Sequence, residues 1–181
     1  TGNELFVIPY YQRPYAWGAA EVRQLLTDIL TSCTSSREKE YYVGNIVCSV
    51  DNLASDKRKV IDGQQRLTTL FLLQAILERN PHVALNGTMS SLLINEATSR
   101  LSYLAREEDN KELLDYFNKK KDTFDNPGFE TARQVMMDFC DERLKETKVG
   151  EFYEYLVNQV QFVIVLLPSN KHFDHAEYFE V

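Results

Sequence analysis

The chain has 181 residues, with 44% hydrophobic and 26% charged, which suits one packed core or a core with a small helical appendix. Its net charge is −7 and its pI about 5.0. That balance argues against a duplex-DNA surface spread over the whole domain, because such affinity comes largely from neutralised phosphates. No run of 18 apolar residues occurs, so no membrane-crossing helix is expected. The opening Thr1-Gly2-Asn3-Glu4 has neither Met nor a charged-then-apolar leader, and reads as a trimmed start rather than a secretory signal. Cys33, Cys48 and Cys140 are odd in number and lack metal-type spacing. Reduced thiols in a cytoplasm are the expectation, with Cys33 and Cys140 in phase with apolar helical positions.

Leu5 to Ile8 is a short apolar run ended by Pro9 and predicts a strand or extended entry. Pro9 and Pro14 keep Tyr10 to Trp17 out of regular helix. Val22, Leu25, Leu26, Ile29, Leu30 and Cys33 repeat at helical spacing and predict an amphipathic helix over 19–33. Tyr41 to Val50, rich in aromatic and β-branched residues, predicts a strand, and Arg58 to Ile61 a second one ending at Asp62-Gly63. Leu67 to Leu77 predicts a buried helix that starts near Gln64 or Gln65 and stops before Asn80-Pro81. Beyond Pro81 charged helical patterns dominate, over 110–122, 129–146 and 151–157, with Asp125-Asn126-Pro127-Gly128 as a turn. Val160 to Leu167 is a continuous apolar run stopped by Pro168, expected as a strand buried on both faces. The fold class is therefore α+β (mixed α/β). An α/β core spans 1–80 and a helical insertion 81–158; 159–181 holds a returning strand and the start of a next helix.

Chemistry concentrates at Lys59 to Leu70, where a strand ends, a glycine turns the chain and a helix begins. The first N–H groups of a helix lack internal partners and, with the helix dipole, attract anions. Gly63 allows close approach, Arg66 adds a forked permanent charge suited to phosphate, and Gln64 and Gln65 add neutral donors. Asp62 is the lone carboxylate, able to hold Mg²⁺ or position water beside a triphosphate. On pattern alone the simpler account is a turn whose Asp62 caps the helix while Arg66 pairs on the surface. Tyr10, Tyr11, Gln12, Arg13, Tyr15 and Trp17 form a second cluster that could stack a base and grip a phosphate, or simply pack as a rigid loop. Gly44 within a strand implies close approach or a bulge, and Asn45 could offer an amide. His172 and His175 make no complete metal site, and Lys119-Lys120-Lys121 reads as a solvated helix face or end.

Three segments in this order, 8–17, 42–46 and 62–70, carry a resemblance. They resemble the N-terminal domain family of GmrSD-type modification-dependent restriction enzymes. Its features are an Ile-Pro-x-Tyr-Gln-Arg-x-Tyr-x-Trp opening, a strand with Tyr then Gly, and an Asp-Gly-Gln-Gln-Arg-Leu-Thr-Thr-Leu box. The match is strong through residue 80 and weak across the insertion. It resumes at Ala176 to Val181, a stretch that in the family resembles the lead-in to an Asn-x-Arg-Gly motif. The family is similar to ParB and sulfiredoxin, which implies a small sheet with packed helices. Gly63-Gln64-Gln65-Arg66 stands where ParB-like domains carry a Gly-Glu-Arg-Arg phosphate box, with Gln64 in place of that Glu.

The resemblance implies a nucleotide-binding, NTP-hydrolysing regulatory domain of a bacterial, cytoplasmic restriction or anti-phage system. Asp62, Gln65 and Arg66 are its expected catalytic residues. Gln12, Arg13, Gly44, Asn45, Gly63 and Gln64 are its expected nucleotide-binding residues, with Tyr10, Tyr15 and Trp17 structural. GTP, CTP and ATP are not distinguished, Mg²⁺ is a candidate companion, and no protein metal site is expected. The implied partners are a C-terminal HNH-type nuclease domain or subunit and, through the full-length protein, DNA; no membrane partner is implied, and self-association stays open. The competing readings are a non-catalytic module that recognises DNA or a partner, and a nuclease domain proper, for which the chain offers no His-rich or multi-carboxylate cluster.

Overall fold

Alternation sets the strands. In β1 (Leu5–Ile8) every second residue, Phe6 and Ile8, is buried, and in β3 (Lys57–Asp62) Val60 alone is fully buried among charged neighbours. The computed structural model describes residues 4–51, 56–83, 93–95 and 98–168. The remaining elements are α1 (Ala19–Ser35), β2 (Tyr41–Val50), α2 (Gln64–Glu78), β4 (Ile94–Asn95), β5 (Thr98–Ser99), β6 (Leu101–Tyr103), α3 (Glu107–Phe117), α4 (Pro127–Phe139), α5 (Lys145–Gln159) and β7 (Val160–Pro168). Five strands form one mixed sheet in the order β6-β1-β3-β2-β7. β1 runs parallel to β3 and β6, β2 antiparallel to β3, and β7 parallel to β2. The molecule is thus α+β, as its sequence pattern predicts.

The helices begin where local chemistry permits. The Glu21 carboxylate accepts from the Gly18 N–H at 3.0 Å at the head of α1, and Val22, Leu25, Leu26, Ile29 and Cys33 form its buried stripe. The Asn126 side chain accepts from the Gly128 and Phe129 amides at 2.9 and 3.2 Å, opening α4 behind Pro127. A π turn at Cys140–Leu144 joins α4 to α5, and the inserted residue re-phases the buried stripe between Phe139 and Phe152. α2 is buried over most of its surface and lies against the sheet, with the Phe71 ring edge-on to Phe6 at 6.3 Å. One hydrophobic core runs from Phe6 to Leu156, and Cys33, Cys48 and Cys140 are free thiols within it. Burial pushes Cys48 and Cys140 each up to about 11, which keeps both as inert thiols.

Three expectations need correction. β7 is not buried on both faces: it is an edge strand held by β2 alone, and Val163, Leu166 and Leu167 are exposed. A continuous apolar run records hydrophobicity but not whether a second neighbour exists. The 81–158 stretch is not purely helical, because β6 joins the sheet beside β1 and buries Leu101 and Tyr103. Three residues are too few to show a period. The helix expected over 110–122 spans Glu107–Phe117, and Lys119 takes a left-handed φ of 59° just after it. Lys120 and Lys121 there pair with Asp115 and Asp125. His172 and His175 lie outside the described residues. No helix among the described residues is long and apolar enough to cross a membrane.

Candidate functional site

Two irregularities in β2 pairing make the site. Against β7, Tyr42 pairs with Gln161 and Asn45 with Val163, so β2 carries one extra residue at Val43-Gly44. Gly44 adopts φ 115°, a conformation that disfavours side chains. Against β3, Val47 pairs with Asp62 and Cys48 with Val60, which leaves Ile61 as the extra residue. Each bulge turns a carbonyl away from the ladder. The Val43 carbonyl accepts from Arg66 Nη1 at 3.1 Å, and the Ile61 carbonyl from Gln12 Nε2 at 2.7 Å.

At the end of β3 the chain reverses through Gly63, whose φ of 87° is left-handed. A Cβ there would lie 2.6 Å from Ile46 Cδ1 and 2.9 Å from the Asn45 carbonyl oxygen. Gly63 thus lets the start of α2 press against β2. It is also the N-cap of α2, and no side chain caps that end. Asp62 therefore does not serve as the helix cap. The uncapped first turn, which holds no acidic residue, presents N–H groups and the positive end of the helix dipole.

The two glutamines that open α2 hold the 13–17 loop. Gln64, buried, donates from Nε2 to the Arg13 carbonyl at 2.9 Å. Gln65, also buried, donates from Nε2 to the Pro14 carbonyl at 3.1 Å and accepts on Oε1 from the Ala16 and Trp17 N–H groups at 2.8 and 3.2 Å. Both ends of the Gln65 amide are thus engaged with backbone, so its geometry is that of a brace. One turn on, Thr69 Oγ1 donates to the Gln65 carbonyl at 2.8 Å and meets the Tyr15 hydroxyl at 2.8 Å. Burial pushes the Tyr15 hydroxyl up to about 12, despite the opposing Thr69 hydrogen bond. From the far side, Arg106 Nη2 donates to the Gln12 carbonyl at 2.6 Å, with its guanidinium 5.5 Å from the centre of the Tyr103 ring.

These contacts shape an open cleft of about 230 Å³ lined by Gln12, Arg13, Trp17, Asp62, Gly63, Gln64, Gln65 and Arg66. The sequence-predicted residues of the first and third segments thus converge on one wall-to-wall site. Arg66 is neither lost to solvent nor sealed off: its side chain is 29% exposed, and its guanidinium lies across Gly44. Asp62, 72% exposed, stands 4.0 Å from Arg66 Nη2; such a pair adds little stability in water. Gly44 and Asn45, expected as lining residues, do not line the cleft. Gly44 stands behind Arg66, and the Asn45 side chain accepts from the Tyr42 hydroxyl. Tyr15 is structural as expected, but Tyr10 is 75% exposed and packs no core. Arg106 and the Val43 carbonyl escaped the sequence reading. The arginine lies in the stretch of weakest resemblance, and a main-chain carbonyl leaves no signature in residue type. No group of three or more His, Cys, Asp or Glu side chains that could hold a metal occurs among the described residues.

The family described as GmrSD restriction endonuclease, N-terminal domain, matches residues 1–181, and the chain belongs to that family. No curated protein matches the chain.

Proposed function

As a member of that family the chain is a component of a restriction system, and we propose that it binds a nucleoside triphosphate in the Arg66 cleft and hydrolyses it to control a nuclease domain acting on DNA. The observation that carries this reading is the convergence of a fixed guanidinium and an uncapped helix start on one open cleft. A forked cation held by the Val43 carbonyl keeps its remaining donors for phosphate oxygens. The first amides of α2 supply further donors and a favourable dipole at no reorganisation cost.

Within this reading Arg66 and Arg13 grip the phosphates, and Gly63 and Gln64 present backbone to them. Gln12 and Gln65 are positioning residues that fix the two sides of the cleft. Asp62 is the group that orients water. The water oxygen bonds to the terminal phosphorus as the bridging P–O bond breaks, one water proton passes to a phosphate oxygen, and nucleoside diphosphate and phosphate leave. A lone, exposed carboxylate fits Mg²⁺ only as one ligand among phosphate oxygens and waters, the usual mode for that ion. Bound so, Mg²⁺ would neutralise phosphate charge; Asp62 is the residue that would hold it.

The alternative is a module that recognises DNA or a partner without catalysis. The exposed Tyr10 favours it, whereas a net charge of −7 disfavours duplex contact. Calorimetric titration of the chain with GTP, CTP, ATP and UTP, alongside phosphate release, separates the two. Binding that falls at least tenfold in Arg66→Ala supports the nucleotide site. Equal binding by wild type and Arg66→Ala, or none by wild type, refutes it.

A further inference from the structure

The cleft is small for the ligand assigned to it. Pockets that enclose drug-sized molecules run to about 300–1,000 Å³, whereas this one holds about 230 Å³ and its lining is nearly all Gln, Arg, Asp and Gly, with Trp17 the one aromatic residue. A triphosphate suits those groups; a nucleobase must lie beyond them.

Gln12, on the wall of the cleft, is preceded in the chain by Tyr11 and Tyr10. These two tyrosines occupy the tip of a turn closed by the Gln12 N–H donating to the Pro9 carbonyl at 3.1 Å. Their rings meet edge to face at 5.6 Å and 81°. Tyr10 is 75% exposed and Tyr11 36%. That contrasts with Tyr15 and Tyr103, which are buried. Exposed rings keep π-faces open that a stacking base can cover. The turn is also held in place, by Gln12 Nε2 on the Ile61 carbonyl and by Arg106 on the Gln12 carbonyl. Rings pre-set by their backbone lose little entropy on stacking. Successive Cα atoms are about 3.8 Å apart, so the turn is one to two residues from the phosphate-facing wall.

We infer that the Tyr10–Tyr11 turn is a stacking platform for a nucleobase whose phosphates occupy the Arg66 cleft. The inference rests on the nucleotide reading above and adds to it the group that receives the base. The base belongs either to a free nucleoside triphosphate or to a single strand of nucleic acid; the chemistry of the platform is the same. A π-face accepts every base, so the platform raises affinity with little discrimination among bases.

The test compares inorganic triphosphate, the four nucleoside triphosphates and a short single-stranded oligonucleotide as probes, in wild type, Tyr10→Ala/Tyr11→Ala and Tyr10→Phe/Tyr11→Phe. Both tyrosines are solvent-facing, and unchanged thermal melts check that the variants fold. Wild type is expected to bind nucleoside triphosphate about tenfold tighter than triphosphate. The alanine pair erases that difference without altering triphosphate affinity, and the phenylalanine pair retains it. Loss confined to the oligonucleotide assigns the platform to a nucleic-acid base. Unchanged affinity of the alanine pair for both base-carrying probes overturns the inference while leaving the Arg66 site intact. Failure of wild type to bind even triphosphate overturns both.

Discussion

Substituting Gly44 by Ala separates the role of Arg66 from the stability of the fold. A Cβ at residue 44 would sit 1.8 Å from Arg66 Nη1 and 3.1 Å from its Cζ. No β2 or β7 atom meets it as closely, so the guanidinium, rather than backbone, is what must move. Two consequences follow with different magnitudes. The left-handed φ of 115° strains any L side chain, which costs about 1–3 kcal/mol of folding stability. The displaced Arg66 loses its anchor on the Val43 carbonyl and its aim at the cleft. A hydrogen bond involving a charged group is worth about 1.5–3 kcal/mol, or roughly 10- to 150-fold in affinity. Gly44→Ala is therefore expected to weaken triphosphate binding nearly as much as Arg66→Ala does, although residue 44 does not line the cleft. The assay is calorimetric titration with triphosphate in wild type, both single variants and the double variant, with urea melts in parallel. The expected outcome is strong non-additivity in binding: once Arg66 is gone, Gly44→Ala removes nothing further. The melts of the double variant should still show the backbone strain. Wild-type affinity in Gly44→Ala, or binding losses that add in the double variant, would show that Arg66 acts from some other position.

Gly63→Ala is expected to fail differently. Its Cβ would press on the Asn45 carbonyl oxygen and on Ile46 at 2.9 and 2.6 Å, and a backbone neighbour cannot swing aside. A loss of about 2–4 kcal/mol in a denaturant melt checks this, and a loss below about 1 kcal/mol contradicts it. Arg106→Ala removes the grip on the Gln12 carbonyl while leaving every cleft-lining side chain in place. It should weaken nucleotide binding about five- to tenfold and increase proteolytic cutting in the 10–17 loop. Cutting unchanged from wild type would remove Arg106 from the positioning network.

The strands and helices up to residue 80 were legible because each signal there is local. The 19–33 stripe is long enough to show a period, and Asp62-Gly63 followed by Gln64 marks a strand-to-helix turn through residue type alone. The candidate site was legible as two separate segments for the same reason, and their resemblance to a known family linked them. What failed lay where the signal was short or one-sided. β6 has three residues, and β7 is apolar whichever of its faces is covered.

By itself the sequence determined which residues carry groups suited to an anion and which way α1 would turn its apolar side, since both follow from side-chain chemistry and spacing along the chain. Only the tertiary structure decided that Gln65 braces a loop, that Gly44 makes room for Arg66 and that Arg106 reaches across 94 positions to Gln12. The anchors of Arg66 and of the Gln12 side chain depend on two bulges in β2 pairing, which free the Val43 and Ile61 carbonyls. A strand's register is set by the partners it meets in space and by the packing of both sheet faces, and neither is written in its own residues.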